Sequence, residues 1–145
     1  MATTEHKLLD AYYEGTAYDG ELLANGKIET DGNFKMNDDI ELGDVHSIKW
    51  YGYVKAPEAG TYKLSISPDQ QTKIQIGGQI VLDGSKAVSF KLEKGKVYPI
   101  RIESTAVKEF TLKWSINGSG MQTLSKDVFL LPLSNEKMPK GAMSG

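Results

Sequence analysis

The side chains that could carry acid–base or nucleophilic chemistry are few in this chain of 145 residues. The two histidines, His6 and His46, lie far apart in the sequence, and there is no cysteine. No histidine pair and no cysteine–histidine couple is therefore available. The carboxylates Asp38 and Asp39 are adjacent, but neighbouring side chains on an extended chain point to opposite sides and cannot act on one substrate. We expect both aspartates to belong to a solvated acidic loop. The sequence thus predicts a protein that is not an enzyme.

Oxygen ligands suited to a calcium ion recur in the segment that begins at Asp31. An EF-hand loop needs ligands at fixed positions and a glutamate at the twelfth. Lys35 stands where the third ligand should be and Leu42 where the glutamate should be, so the EF-hand interpretation fails. A looser calcium site is the weaker alternative to a solvated loop. We expect no cofactor, with calcium possible but disfavoured.

Composition excludes several kinds of partner. With 17 basic and 19 acidic residues the net charge is -2, which gives no basic field for nucleic acid. The absence of cysteine excludes disulfides and thiolate metal sites. No run approaches the roughly 18 apolar residues of a membrane helix, so we expect no direct membrane insertion. The N-terminus also lacks the apolar stretch of a signal peptide.

The length fits one domain flanked by two short arms. We expect residues 1–7 to form a flexible N-terminal arm and residues 8–132 to form the domain. Residues 133–145 are polar and end in small side chains, which is typical of a flexible linker or an appended tail.

Apolar residues alternate with polar ones in stretch after stretch. The run from Trp50 to Leu64 contains a strand, a turn bracketed by Pro57 and Gly60, and a second strand. Strands are predicted at residues 8–13, 47–55, 61–67, 72–76, 79–83, 87–92, 97–104, 109–116 and 127–131. The segment 18–44 is predicted to be a long connection, with one helical turn near residues 37–41. Many short strands joined by turns predict an all-β protein, an antiparallel β-sandwich.

Aromatic side chains at the inward positions of these strands are predicted to form the structural core. They are Tyr12, Trp50, Tyr62, Tyr98, Phe110 and Trp114. Tyr51 and Tyr53 flank Gly52, so one or both must face outward or into a second layer. Such tyrosines could stack on a sugar or contact a partner.

The order of several short motifs resembles that of the PA14 domain family. Trp50-x-Gly52, followed by Pro57-x-x-Gly60-x-Tyr62, resembles the family signature. Four further motifs resemble other strands of the family: residues 9–13, 74–79, 92–103 and 110–115. In the first of them, Asp10 departs from the usual pattern. The resemblance covers residues 8–132 and implies a β-sandwich.

Sugar-binding members of that family hold calcium with two consecutive aspartates in the loop that corresponds to Ser67–Lys73. Asp69 is kept here, but Gln70 replaces the second aspartate and is followed by Gln71. A neutral amide is a weaker ligand for a hard cation. The resemblance makes Asp69, Gln70 and Gln71 the candidate ligand-binding residues, and the substitution disfavours calcium-dependent sugar binding.

Three longer stretches are similar to the N-terminal domain of binding and translocation components of bacterial binary toxins, the protective-antigen family, which includes vegetative insecticidal proteins. They are residues 45–55, residues 91–103 and residues 124–132. The resemblance implies a secreted or released, extracellular pro-domain of a pore-forming toxin, monomeric in isolation, that blocks oligomerisation of the following toxin domains until proteolysis removes it. Lys137 and Lys140 are the candidate cleavage points. The alternative is a carbohydrate-binding module of an adhesin, glycosidase or glycan sensor, with a glycan as partner.

Overall fold

A computed structural model describes residues 2–35, 42–68, 71–105, 109–140 and 142–143. The strands, in chain order, are β1 (Leu8–Tyr13), β2 (Leu22–Ile28), β3 (Asn33–Phe34), β4 (Ser47–Lys55), β5 (Gly60–Ser67), β6 (Thr72–Ile76), β7 (Gln79–Asp83), β8 (Lys86–Ala87), β9 (Phe90–Leu92), β10 (Val97–Ser104), β11 (Phe110–Ile116), β12 (Gln122–Thr123) and β13 (Phe129–Leu130). Short 3₁₀ turns span Leu42–Asp44 and Lys126–Val128.

The strands form two antiparallel sheets that pack face to face. The large sheet has the order β2-β1-β4-β10-β6-β7-β8, with β13 also paired to β4. The small sheet has the order β12-β11-β5-β9, with β3 also paired to β11. The predicted antiparallel β-sandwich is therefore confirmed.

The alternation within β4 separates the core from the outer face of the large sheet. Ile48, Trp50 and Val54 are completely buried in the core between the sheets. Lys49, Tyr51 and Tyr53 occupy the intervening positions and therefore project from the opposite, outer face.

Aromatic rings fill the centre of the sandwich. The ring of Phe34 stacks on Phe110 at 4.9 Å and meets Trp50 edge-on at 5.4 Å. The indole of Trp50 also meets Phe110 edge-on at 5.6 Å. A second group joins Tyr62 to Trp114 at 4.9 Å. Such edge-on and stacked pairs add to the stabilisation from area burial alone.

Five of the six aromatic residues predicted for the core are at most 3% exposed: Tyr12, Trp50, Tyr62, Phe110 and Trp114. Tyr98 packs against the core but remains partly exposed. Its hydroxyl oxygen accepts a hydrogen bond from the backbone N–H of Glu93 at 2.9 Å. The polar end of the ring therefore marks the rim of the sandwich.

Gly52 is needed where β13 and the start of β1 approach β4. A Cβ at this position would lie 2.9 Å from the carbonyl oxygen of Leu130 and 2.4 Å from Cδ2 of Leu8. These distances are too short for a side chain. The glycine of the Trp-x-Gly motif therefore permits a close backbone approach.

The prediction of one long connection over residues 18–44 was wrong, because β2 and β3 lie within it. β2 is the edge strand of the large sheet, and most of its residues are exposed or half-buried. An edge strand of this kind shows little hydrophobic alternation, since its pairing with β1 depends on backbone hydrogen bonds. The predicted helical turn at residues 37–41 lies outside the described residues.

Two other strand predictions need correction. The single strand expected at residues 87–92 is two strands: β8 pairs in the large sheet and β9 in the small sheet. The strand expected at 127–131 begins as the 3₁₀ turn Lys126–Val128 and continues as β13. The short strand β12 lies between the predicted strands 109–116 and 127–131, where no strand was expected. Strands of two or three residues are too short for periodicity to locate.

The N-terminal arm lies beside the residues that follow β13. The backbone N–H of Thr3 donates to the carbonyl of Leu131 at 2.7 Å, and the N–H of Leu131 donates to the carbonyl of Glu5 at 2.8 Å. Ala2 forms an isolated bridge with Pro132. The boundaries at residues 8 and 132 stay predictions, and these contacts place the N-terminal arm against the sandwich. None of the helical turns in the described part of the chain is long and apolar enough to cross a membrane.

Candidate functional site

The loop between β5 and β6 holds the candidate ligand-binding residues. It follows a cis peptide bond between Ser67 and Pro68. Asp69 and Gln70 lie outside the described residues. The side-chain oxygen of Gln71 accepts a hydrogen bond from the Thr105 hydroxyl at 2.8 Å, and its backbone carbonyl accepts one from the Thr105 N–H at 3.1 Å. The loop is thereby fixed to the end of β10.

Polar groups of β3 and β11 lie at the end of the small sheet where the loop after β5 begins, because Thr111 of β11 pairs with Ser67, the last residue of β5. The hydroxyl of Thr111 donates to the side-chain oxygen of Asn33 at 2.8 Å. The side-chain and backbone N–H groups of Asn33 both donate to Asp31, and these bonds lower the pKa of that carboxyl. A groove of about 1340 Å³ opens here, lined by both polar and apolar side chains, with Glu109 also on its wall.

Within the described ranges, no group of three or more histidine, aspartate or glutamate side chains is arranged to hold a metal ion. Asp31 is engaged by Asn33 instead. Whether Asp69 and Gln70 take part in a calcium site stays a prediction.

A second site lies on the outer face of the large sheet, where the chain after β13 crosses it. We call residues 133–140 and 142–143 the C-terminal strap. The hydroxyls of Tyr51 and Tyr53 both donate hydrogen bonds to Oε1 of Glu136, at 2.9 Å and 2.5 Å. Burial acts to raise the pKa of Glu136, but the bonds from the two tyrosines act to lower it, and the net pKa lies below the ordinary value. Its ionised form is thus favoured.

Two further contacts hold the strap. The ammonium group of Lys49 donates to the carbonyl oxygen of Pro139 at 2.8 Å, and the backbone N–H of Met143 donates to Oε1 of Glu103 at 2.8 Å. Lys137 and Lys140, the candidate cleavage points, lie between these contacts and are exposed.

A charged cluster is buried beneath the strap. Lys49 is 0% exposed, and its Nζ lies 5.8 Å from the ring centre of Tyr13 and 5.7 Å from that of Tyr18. Burial lowers the pKa of Lys49, while the negative charge of Glu103 acts to raise it. Glu103 is 2% exposed and is paired with Arg101 at 2.8 Å. These charges satisfy one another, as buried ions must.

The histidines do not take part in either site. Nδ1 of His6 lies 3.0 Å from the carbonyl oxygen of Phe129, and Nδ1 of His46 lies 2.7 Å from that of Glu14. A carbonyl can only accept, so each ring nitrogen donates to it and serves to fix the chain locally.

Comparison with known proteins decides the family. The model of the PA14 domain matches residues 12–125, which is more than half of the chain. The chain belongs to the PA14 family.

One curated relative of this PA14 domain is the protective antigen of Bacillus anthracis, which is 27% identical over 95 residues. The match covers 61% of this chain and 12% of that protein, so the chain corresponds to a small part of its relative.

Solved structures share the fold. The transport component C2-II of the C2-toxin from Clostridium botulinum matches with a TM-score of 0.69 and 24% identity, covering 86% of this chain and 27% of that one. A PA14 sugar-binding domain from an RTX adhesin matches with a TM-score of 0.61 and 14% identity, covering 86% of this chain and 98% of that one.

The sequence reasoning missed the strap contacts of this PA14 domain. It recognised that Tyr51 or Tyr53 would face outward, but it did not connect either residue to Glu136. The usable signal was the set of large polar side chains at outward positions of two central strands: Lys49, Tyr51 and Tyr53 on β4, and Arg101 and Glu103 on β10. Such side chains at the centre of a sheet need a cover or partners.

Proposed function

We propose that this PA14 domain is the non-catalytic N-terminal pro-domain of a pore-forming bacterial toxin, of the binary or insecticidal kind. It blocks oligomerisation of the domains that follow until proteolysis removes it. The observation that carries the proposal is the 27% identity over 95 residues to protective antigen. The fold alone does not carry it, since function depends on sites built on a fold.

The geometry supports proteolytic removal. The two exposed lysines Lys137 and Lys140 follow the last strand and lie in a polar segment without strand pairing. Lysines in the sandwich, such as Lys63 and Lys73, belong to paired strands. A cut after Lys137 or Lys140 therefore falls outside the paired strands and releases the domain whole.

The proposal also specifies surroundings and partners. The partners are the following toxin domains, the protein acts outside the cell, and the isolated domain is a monomer. A net charge of -2 offers nothing to nucleic acid. Contacts between domains of one chain are modest in area and separate once the connection is cut.

The test is limited trypsin treatment of the full-length parent, followed by electron microscopy and size-exclusion chromatography. Cleavage after Lys137, Lys140 or a basic residue just beyond residue 145 should precede the appearance of oligomers. Substituting Lys63 and Lys91, which are exposed in the sandwich, should leave activation unchanged and serves as the control. Rings formed by the uncleaved parent, or a parent without this domain that stays monomeric under activating conditions, would overturn the proposal.

The second candidate is a carbohydrate-binding module. The observation in its favour is the groove lined by Asp31, Asn33 and Glu109, whose side-chain oxygens can accept hydrogen bonds from sugar hydroxyls. Because Gln70 replaces the expected aspartate, we predict no calcium-dependent glycan binding tighter than about millimolar. A glycan array and calorimetry, each with and without a chelator, measure this. A chelator-sensitive signal that disappears in Asp69→Ala would favour the carbohydrate-binding module instead.

A further inference from the structure

We infer that the C-terminal strap is a latch, and that its contacts with the outer face of the large sheet limit proteolysis at Lys137 and Lys140. Its biological meaning rests on the proposed pro-domain function, but the latch itself is a property of this chain. It assigns roles in holding the strap to Tyr51, Tyr53 and Glu136.

The contacts alternate with the candidate cleavage points along the chain. Glu136 is held by two tyrosine hydroxyls, Pro139 by Lys49, and Met143 by Glu103. The bond after Lys137 therefore lies between the contacts of Glu136 and Pro139. The bond after Lys140 lies between those of Pro139 and Met143.

A protease needs several residues on both sides of the bond in an extended form that it can surround. The strap can take that form only after at least two neighbouring contacts have opened. When such opening is fast compared with cleavage, the cleavage rate follows the population of the open state. The side chains of Lys137 and Lys140 are exposed, but the contacts of Glu136, Pro139 and Met143 hold the strap on either side of them.

The contacts are of kinds that resist opening. Glu136 is an ionised acceptor of two hydroxyl groups, and hydrogen bonds to charged groups are stronger than neutral ones. Lys49 and Glu103 are both fully or almost fully buried, so removal of the strap would expose or unpair charged groups. Tyr51 is itself only 7% exposed.

The decisive variant is Tyr51→Phe with Tyr53→Phe. It removes both hydroxyls that hold Glu136 and leaves the aromatic rings and the sequence around each cleavage point unchanged. Tyr98→Phe is the matched control, because its hydroxyl contacts the backbone of Glu93 rather than the strap. Each 145-residue chain is treated with dilute trypsin, and mass spectrometry follows the initial rates after Lys137 and Lys140.

We expect the double variant to be cut at least about fivefold faster after Lys137, the lysine next to Glu136, given the usual strength of hydrogen bonds to a charged group. Cleavage after Lys140 should change less, because its bond lies between the contacts of Pro139 and Met143, which the variant keeps. Tyr98→Phe should match the native chain. An unchanged rate after Lys137 in the double variant, or an equal acceleration in Tyr98→Phe, would overturn the latch.

A second measurement decides the question even if the double variant fails to fold. The native chain is compared with a synthetic peptide of residues 133–145 under the same trypsin treatment. Lysines held in the latch should be cut at least about tenfold more slowly than the same lysines in the peptide. Equal rates would overturn the inference. Neither result depends on oligomerisation of the parent, so the latch and the pro-domain function can fail separately.

Discussion

Trp50 is one of the largest fully buried side chains of the sandwich. It is 0% exposed and meets the rings of Phe34 and Phe110 edge-on. We predict that Trp50→Ala lowers the free energy of unfolding by about 3 to 5 kcal/mol, because it leaves a large cavity. Urea unfolding measures the change.

Trp50→Phe is the matched variant and should cost less, since the indole N–H has no hydrogen-bond partner among the described residues. A melting shift under about 2 °C for the alanine variant would contradict the prediction.

Asp10 is a carboxylate on the inward face of β1, between Leu8 and Tyr12, and is 3% exposed. Burial raises its pKa, and hydrogen bonds from Tyr12 and from backbone N–H groups, including that of Gly26, only partly offset the effect. An acid with a raised folded pKa stabilises the fold most below its unfolded pKa of about 4. That contribution is lost as the pH rises through the folded pKa.

We therefore predict that Asp10→Asn gains stability relative to the native chain as the pH rises above about 4. An amide keeps an oxygen acceptor for Tyr12 and carries no charge. Urea unfolding of both proteins at each pH measures the difference. A difference that does not change with pH would show that Asp10 is not strained by burial.

At the scale of elements, the contact between β13 and β4 depends on a glycine, Gly52, in β4. The carbonyl oxygen of Leu130 would be only 2.9 Å from a Cβ at position 52. We predict that Gly52→Ala pushes β13 away and costs about 1 to 3 kcal/mol, as overpacking usually does. Thermal unfolding measures the cost, and amide exchange at Phe129 and Leu130 localises it. Gly120→Ala is the control, because a Cβ there meets nothing within 4 Å. Equal losses in the two variants would contradict this account.

At the scale of the whole molecule, packing between two sheets holds the domain together without covalent links. The chain has no cysteine, and within the described residues no cluster of acidic or histidine side chains is placed to bind a metal. We predict one cooperative unfolding transition whose midpoint shifts by less than about 2 °C with a reductant or a chelator. Differential scanning calorimetry measures it. A chelator-induced fall of several degrees would contradict the prediction and reveal a bound metal ion.

Much of the fold could be predicted because its central strands are long and alternate regularly. The predicted bounds of five strands, β1, β4, β6, β7 and β10, agree with the structure. The Trp-x-Gly motif also indicated the right architecture. The structure shows why it contains glycine: the backbone of Leu130 approaches Gly52 too closely for a side chain at that position. The edge strand β2 could not be predicted, because its residues are mostly exposed and its pairing with β1 uses backbone groups that every residue carries.

The sequence by itself determined the all-β class, most of the core, the family and the absence of disulfides. The fold class, the core and the absence of disulfides follow from local properties: side-chain polarity at period two, glycine and proline at turns, and residue counts. The family follows from the resemblance of the ordered motifs to those of the PA14 domain. Only the tertiary structure decided that Glu136 contacts Tyr51 and Tyr53, and that Glu103 contacts Met143. Such pairs are 40 to 85 residues apart in the chain, and their meeting depends on where a polar segment without periodicity crosses the sheet. Local patterns carry no information about that crossing, because hydrogen bonds between distant residues form only after the strands have packed.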